Sequence, residues 1–395
     1  MNEQRIRELL RDEPLDDAGA RARALDLVRA AHREAADEPA RRRGWVPAPS
    51  RRVWRPVLAV AACAAAALLV AATLGAPGDA VARWVRTVLG TGHENARPAL
   101  VSLPGGGRLL ATSPGGAWVV SADGSRRRLG GYDGASWSPN GLFAVVWRGG
   151  ELTAVDPGGA VRWSLSRPGR VRTARWGPVD GFRIAYLAGG ALRIVNGDGT
   201  GDRRHGTARM AVAPAWRPDD DHVLAYADRL GRVRVVAVDS GRELWRTAPV
   251  PGLRELAWSP DGRRLLIAAA HRLELRARGG RRVAGRELPA GRVADDVAWA
   301  PTGRTIALVR RDTAARRSEV LVGRRLLFTG PGRFGALAWS PTGRRLLVPW
   351  PQADQWLFLS PRGGRTAAVA NVARQFGARA GRPAFASRVE WCCPG

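Results

Sequence analysis

Ala257-Trp258-Ser259-Pro260-Asp261-Gly262 is the stretch on which the reading of this chain turns. A short polar-apolar run, 254–258, leads into it, and residues 264–268 follow, with Leu265, Leu266 and Ile267 apolar. Pro presets φ at the start of a tight turn and Gly supplies the positive φ that ends it. The segment therefore reads as two strands joined by a hairpin. The same turn recurs at Ser136-Trp137-Ser138-Pro139-Asn140-Gly141, Arg175-Trp176-Gly177-Pro178, Ala215-Trp216-Arg217-Pro218-Asp219, Ala298-Trp299-Ala300-Pro301-Thr302-Gly303 and Ala338-Trp339-Ser340-Pro341-Thr342-Gly343. The steps between successive Trp residues are 39, 40, 42, 41 and 40. A fixed period near 40 residues with several short strands per unit predicts an all-β propeller of four-stranded blades.

One repeat shows the strands. Residues 254–258, 264–268, 272–276 and 282–288 are the four, with Leu273 and Leu275 alternating in the third and Gly279-Gly280 turning into the last. Second strands are expected at 142–147, 182–187, 222–226, 305–309 and 345–349. One large aromatic at the same place in every unit predicts a wedge between adjacent sheets, each burying about 200 Å². Trp137, Trp176, Trp216, Trp258, Trp299 and Trp339 are thus structural residues. Asp219 and Asp261 are read as turn formers rather than catalytic groups. A degenerate unit precedes the first clear Trp, with strands at 107–112, 117–121 and 126–129. After Trp339 come strands at 355–359 and 366–369. Ser387-Arg388-Val389-Glu390-Trp391 then resembles the strand before each turn and is placed to pair with the first blade and close the ring, leaving no exposed edge. Seven intervals favour seven blades, with six and eight as alternatives.

The 395 residues carry a formal charge of +28, and all 63 basic residues are Arg. An Arg-only, Ala-, Gly- and Pro-rich composition reads as a high-GC coding bias, which weakens the charge as a sign of nucleic-acid binding. The arginines are scattered rather than striped. The basic surface attracts anions such as wall polymers, lipid headgroups or acidic proteins. Three Cys are too few for a disulfide framework. Cys63 lies in an apolar segment; Cys392 and Cys393 are adjacent, and pair either with each other, strained, or with another molecule.

Residues 56–78 contain no charge and are long enough to span about 30 Å of hydrocarbon. Six arginines (41, 42, 43, 51, 52 and 55) flank them on the N-terminal side and two (83 and 86) on the other. The positive-inside rule puts residues 1–55 in the cytoplasm and the repeats outside. Arg51-Arg52 before the apolar run also resembles a twin-arginine export signal, but the long leader favours an uncleaved anchor. Within 1–55, Ile6, Leu9 and Leu10 suggest one short helix, and an apolar stripe of Ala18, Ala22, Leu25 and Val28 predicts a second near 18–36, to be covered by a second copy or a cytosolic partner, the alternative being a solvated leader; residues 37–55 read as linker. Residues 79–98 hold a juxtamembrane helix with Val81, Trp84, Val85 and Val88 on one face, and a linker. Residues 99–395 form the propeller.

The Trp-Ser-Pro-Asp-Gly repeat followed by an apolar strand resembles TolB-type, WD-repeat-like propellers, over residues 99–395. Asn140, Val179, Thr302 and Thr342 depart from the turn Asp. Arg162-Trp163 and Leu244-Trp245 resemble the strand ends of quinoprotein-type propellers, without a cofactor set. The overall plan resembles membrane-anchored propeller proteins of high-GC bacteria. The resemblance implies a binding module, sensor or scaffold for protein, peptide or wall polymer. No cofactor, metal site or catalytic residue is assigned: the five His have no ligand spacing, and no Gly-x-Ser-x-Gly elbow is present. The rival readings are a hydrolase or lyase with His or acidic groups at the channel, and an exported TolB-like binding protein with a cleaved signal.

Overall fold

The computed structural model describes Arg97 and residues 99–393, except 179–182, 210, 304, 364–365 and 380–381. The expected cytoplasmic helices, the apolar span 56–78, Cys63 and the juxtamembrane helix lie outside the described residues. Among the described residues no helix is long and apolar enough to cross a membrane.

Seven four-stranded antiparallel sheets follow one another around a ring. Blades 2 to 7 are sequential meanders, whose innermost strands are Gly134–Trp137, Val171–Trp176, Ala215–Arg217, Leu253–Trp258, Arg292–Trp299 and Ala338–Trp339. Blade 1 is assembled from both ends of the propeller. Its three outer strands are Arg108–Ser113, Gly116–Val120 and Arg126–Gly130, and its innermost strand is Arg388–Cys392. Leu109 pairs with Trp391 and Ala111 with Val389. The last strand therefore closes the ring and leaves a seventh Trp, Trp391, in line with the other six.

The hairpin after each inner strand is held as its composition predicts. In blade 5 the Ser259 hydroxyl accepts from Arg264 N at 3.0 Å, the Asp261 carboxylate accepts from Arg263 N at 3.1 Å, and Gly262 N donates to Ser259 O at 2.8 Å. Asn140 makes the same turn bond to Leu142 N at 3.1 Å, which is why the turn tolerates loss of the acid.

Five of the six repeat tryptophans are buried, and Trp299 is half-buried. Three bind across the seam to the residue before the preceding blade's Trp. Trp216 Nε1 donates to Arg175 O at 3.0 Å, Trp299 Nε1 to Ala257 O at 3.1 Å and Trp339 Nε1 to Ala298 O at 3.2 Å. Trp137, Trp176 and Trp258 wedge without such a bond.

The stretch between blade 7 and the closing strand caps seam 7–1. It contains a four-residue helix, Val372–Gln375, and places Phe376 4.8 Å from the Trp356 ring and 6.0 Å from Trp118. Leu100 and Leu103 join the same apolar cluster.

Candidate functional site

The inner strands surround a channel of about 780 Å³. Each of these strands has one edge without a strand partner, so its backbone N–H groups must find acceptors elsewhere. In blades 2, 6 and 7 a side chain from the preceding blade supplies one. Glu255 of blade 5 accepts from Val297 N at 3.1 Å, and Asp296 of blade 6 accepts from Leu337 N at 2.7 Å. Glu390 of the closing strand accepts from Trp137 N at 3.0 Å. Glu255 and Asp296 stand three residues before their repeat Trp, so one sequence offset places both on the same side of successive blades.

That offset also brings the two carboxyls together. Burial raises Glu255 to about 7, against the pull of its Val297 hydrogen bond and the Arg175 charge. Burial, and then the Glu255 charge, push Asp296 well above the ordinary carboxylate range. The two carboxyls lie close enough for each to change the other's proton affinity. Asp295 next to them is ion-paired, to Arg311 at 2.8 Å and Arg333 at 3.0 Å.

Arginines line the same channel. Arg170, Arg172 and Arg175 come from blade 3, Arg254 from blade 5 and Arg388 from the closing strand. Arg175 bonds Glu390 at 3.2 Å, and Arg170 bonds Asp133 at 3.2 Å. The channel thus carries both signs of charge, with Arg254 next to the acid pair of blades 5 and 6, and the carboxylates of Asp133 and Glu390 among the other arginines. None of the described histidines lines it. His222 pairs with Asp239, and His271 Nδ1 lies 3.0 Å from Arg292 O. Among the described residues no group of three His, Cys, Asp or Glu side chains is placed to hold a metal.

None of the six repeat tryptophans lines this channel; they sit in the seams. Cys392 and Cys393 form a vicinal disulfide beside Gly141, against which a Cβ would lie 2.4 Å from the Cys393 sulfur. The pair marks the junction of the closing strand with the first turn of blade 2. Glu255, Asp296 and Glu390 were missed by sequence reasoning. The readable signal was an acid three residues before Trp in two adjacent repeats.

No family profile and no curated protein matches the sequence. Solved structures do. The β-propeller domain of Myceliophthora thermophila Cps50 (Swd1) is 15% identical with a TM-score of 0.52, over 66% of this chain and 95% of that one. The C-terminal WD40 domain of Sif2 is 14% identical with a TM-score of 0.51, over 67% and 82%. Hydrazine synthase of Kuenenia stuttgartiensis gives a TM-score of 0.48 at 15% identity, over 57% and 75%. The fold is a seven-bladed β-propeller, similar to those two domains.

Proposed function

We propose that this chain is a membrane-anchored, extracytoplasmic, TolB-like propeller that binds protein, peptide or wall polymer as a sensor or scaffold, with residues 1–55 docking a cytosolic partner. The channel wall supports the binding reading. Glu255, Asp296 and Glu390 are occupied by backbone N–H groups of the neighbouring blades, and arginines supply much of the remaining charged surface. A ligand entering there meets guanidinium donors suited to carboxylate, phosphate or carbonyl oxygens. Support for the anchor comes from the uncharged run 56–78 and the excess of arginines on its N-terminal side.

Cross-linked co-purification from native membranes, comparing the full chain with one lacking residues 2–44, tests the tail. Loss of a cytosolic protein on deletion supports a transmembrane regulator; an unchanged partner set overturns the tail's role. Protease added to intact cells tests the topology: the propeller is cut from outside if the reading holds and protected if it fails.

A second reading draws on Glu255 and Asp296. Two carboxyls with raised proton affinity facing a channel are the groups a hydrolase or lyase uses as general acid and base. Asp296→Asn abolishes any turnover found under this reading while leaving ligand binding at the arginines in place.

A further inference from the structure

The outer rim of the ring is latched from blade to blade. At seam 2–3, Trp163 in the outermost strand of blade 2 donates its Nε1–H to Gly197 O in a turn of blade 3, at 2.8 Å. At seam 4–5, Trp245 donates likewise to Arg278 O of blade 5, at 2.9 Å. Both indoles lie flat on a turn glycine, since a Cβ on Gly199 or Gly280 would come within 2.8 Å of the ring. Arginines take this part elsewhere. Arg127 reaches Gly158 O at 3.1 Å, and Arg325 reaches Arg362 O at 2.9 Å.

Among the described residues, seam 5–6 shows neither. In blade 5, Leu275 pairs with Ala284 where Ala154 pairs with Trp163 in blade 2 and Val235 with Trp245 in blade 4. Ala284 therefore occupies the latch position, four residues after the turn glycine Gly280, as Trp163 follows Gly159. A cavity of about 350 Å³ opens there. Leu273, Leu275 and Ala284 of blade 5 line one side, and Trp299 and Ile306 of blade 6 the other. This is the seam whose repeat Trp is half-buried rather than buried. An apolar cavity of about 150 Å³ takes a benzene ring, so this slot has room for a bicyclic one.

We infer that the cleft between blades 5 and 6 binds an aromatic side chain, a Trp flanked by acidic residues, supplied by a partner polypeptide. The chain itself shows the occupant twice, in the indoles seated at seams 2–3 and 4–5. Gly323, the first residue of the shorter turn in blade 6 as Arg278 is of the turn in blade 5, borders the cavity. Its carbonyl is the acceptor for the incoming indole N–H. The flanking acids follow from Arg264 and Arg286, both exposed and both lining the slot. A bound aromatic completes the cluster around Leu266 and Leu308 and bridges the blades as the resident tryptophans do. The inference concerns the outer rim and stands whichever side of a membrane the propeller occupies.

The test uses the full-length protein and two synthetic peptides, one with a single Trp between Glu pairs and one with Ala in its place. Direct binding is measured by calorimetry at physiological salt, so that the general attraction of acid for this basic protein appears equally in both. The Trp peptide is expected to bind at least about tenfold tighter, the worth of one buried aromatic. Ala284→Trp, which fills the slot from within, is expected to erase that difference and to raise the melting temperature. Ala284→Leu fills it in part and serves if the larger side chain disturbs folding; it should reduce the preference several-fold. Equal affinities for the two peptides, or a Trp preference that survives both substitutions, overturns the inference.

Discussion

The channel side and the outer rim of the same seams are built on different rules. On the channel side the device is repeated. Trp216, Trp299 and Trp339 each reach the carbonyl one residue before the preceding repeat Trp, and Glu255 and Asp296 each cap the next inner strand from the same offset. At the rim the device changes from seam to seam: Trp at 2–3 and 4–5, Arg at 1–2 and 6–7, Ala at 5–6. The reason is geometric. Near the axis the sheets converge, so one wedge fits every gap. At the rim they diverge and must be bridged, and long donors of different chemistry serve equally. The rim can therefore vary without loss of the ring, and an omitted latch becomes a site.

The strongest way to break this contrast is to open the ring. Truncation after residue 386 removes the closing strand, exposes the edge formed by Leu109 and Ala111, and uncovers Trp391's neighbours in blade 1. The expected loss exceeds about 5 kcal/mol, a large share of the stability of a whole domain. It is read as loss of a cooperative transition in denaturant and as new oligomers on a sizing column. A truncated chain that unfolds like the parent would mean that the seams alone hold the ring.

Single wedges come next. Trp339→Ala removes a buried indole and should cost about 3–5 kcal/mol, whereas Trp163→Ala removes a half-buried one and should cost about 1–3 kcal/mol. Urea titration measures both. Equal costs would erase the distinction between wedge and latch.

The wedge was legible in the sequence because it is written six times in one register. The ring closure was legible because 387–391 repeats the strand that precedes each turn. Blade 1 lacks a Trp turn of its own, yet its strands at 108–113 and 116–120 were placed to within a residue as a degenerate unit before the first clear Trp. The channel acids were harder to see. Glu255 and Val297 are 42 residues apart, and only the ring's curvature sets one beside the other. An acid in a strand otherwise reads as an ordinary solvent-facing residue. Trp163 and Trp245 were visible as strand-end aromatics, but their resemblance to another propeller class hid their role as latches. That role lies in the bond each makes to the next blade. The vacancy at Ala284 was invisible, because a missing side chain has no signal until the filled positions are aligned on the structure.

The smallest expected effect concerns the acid pair, and it carries a sign. Native Glu255 and Asp296, half-buried at the channel wall, hold protons above the ordinary carboxylate range, chiefly because desolvation disfavours their charged forms, with Asp295 adding repulsion to Asp296 and Arg175 opposing it. The native state therefore binds more protons than the unfolded chain from about pH 4 upward, and stability falls as pH rises. The fall begins at the unfolded values and passes through about 7, where Glu255 titrates. In Asp296→Asn the amide oxygen can still accept from Leu337 N, and the amide N–H can donate to Glu255. The variant should match the parent near pH 4.5 and exceed its stability at pH 8 by about 1–2 kcal/mol, less than the full linkage because both side chains touch channel solvent. Urea midpoints measured across that range decide it. A gap that stays constant with pH would mean that the two carboxyls titrate independently, and the channel side would then be held by hydrogen bonds to neighbouring blades without a shared proton.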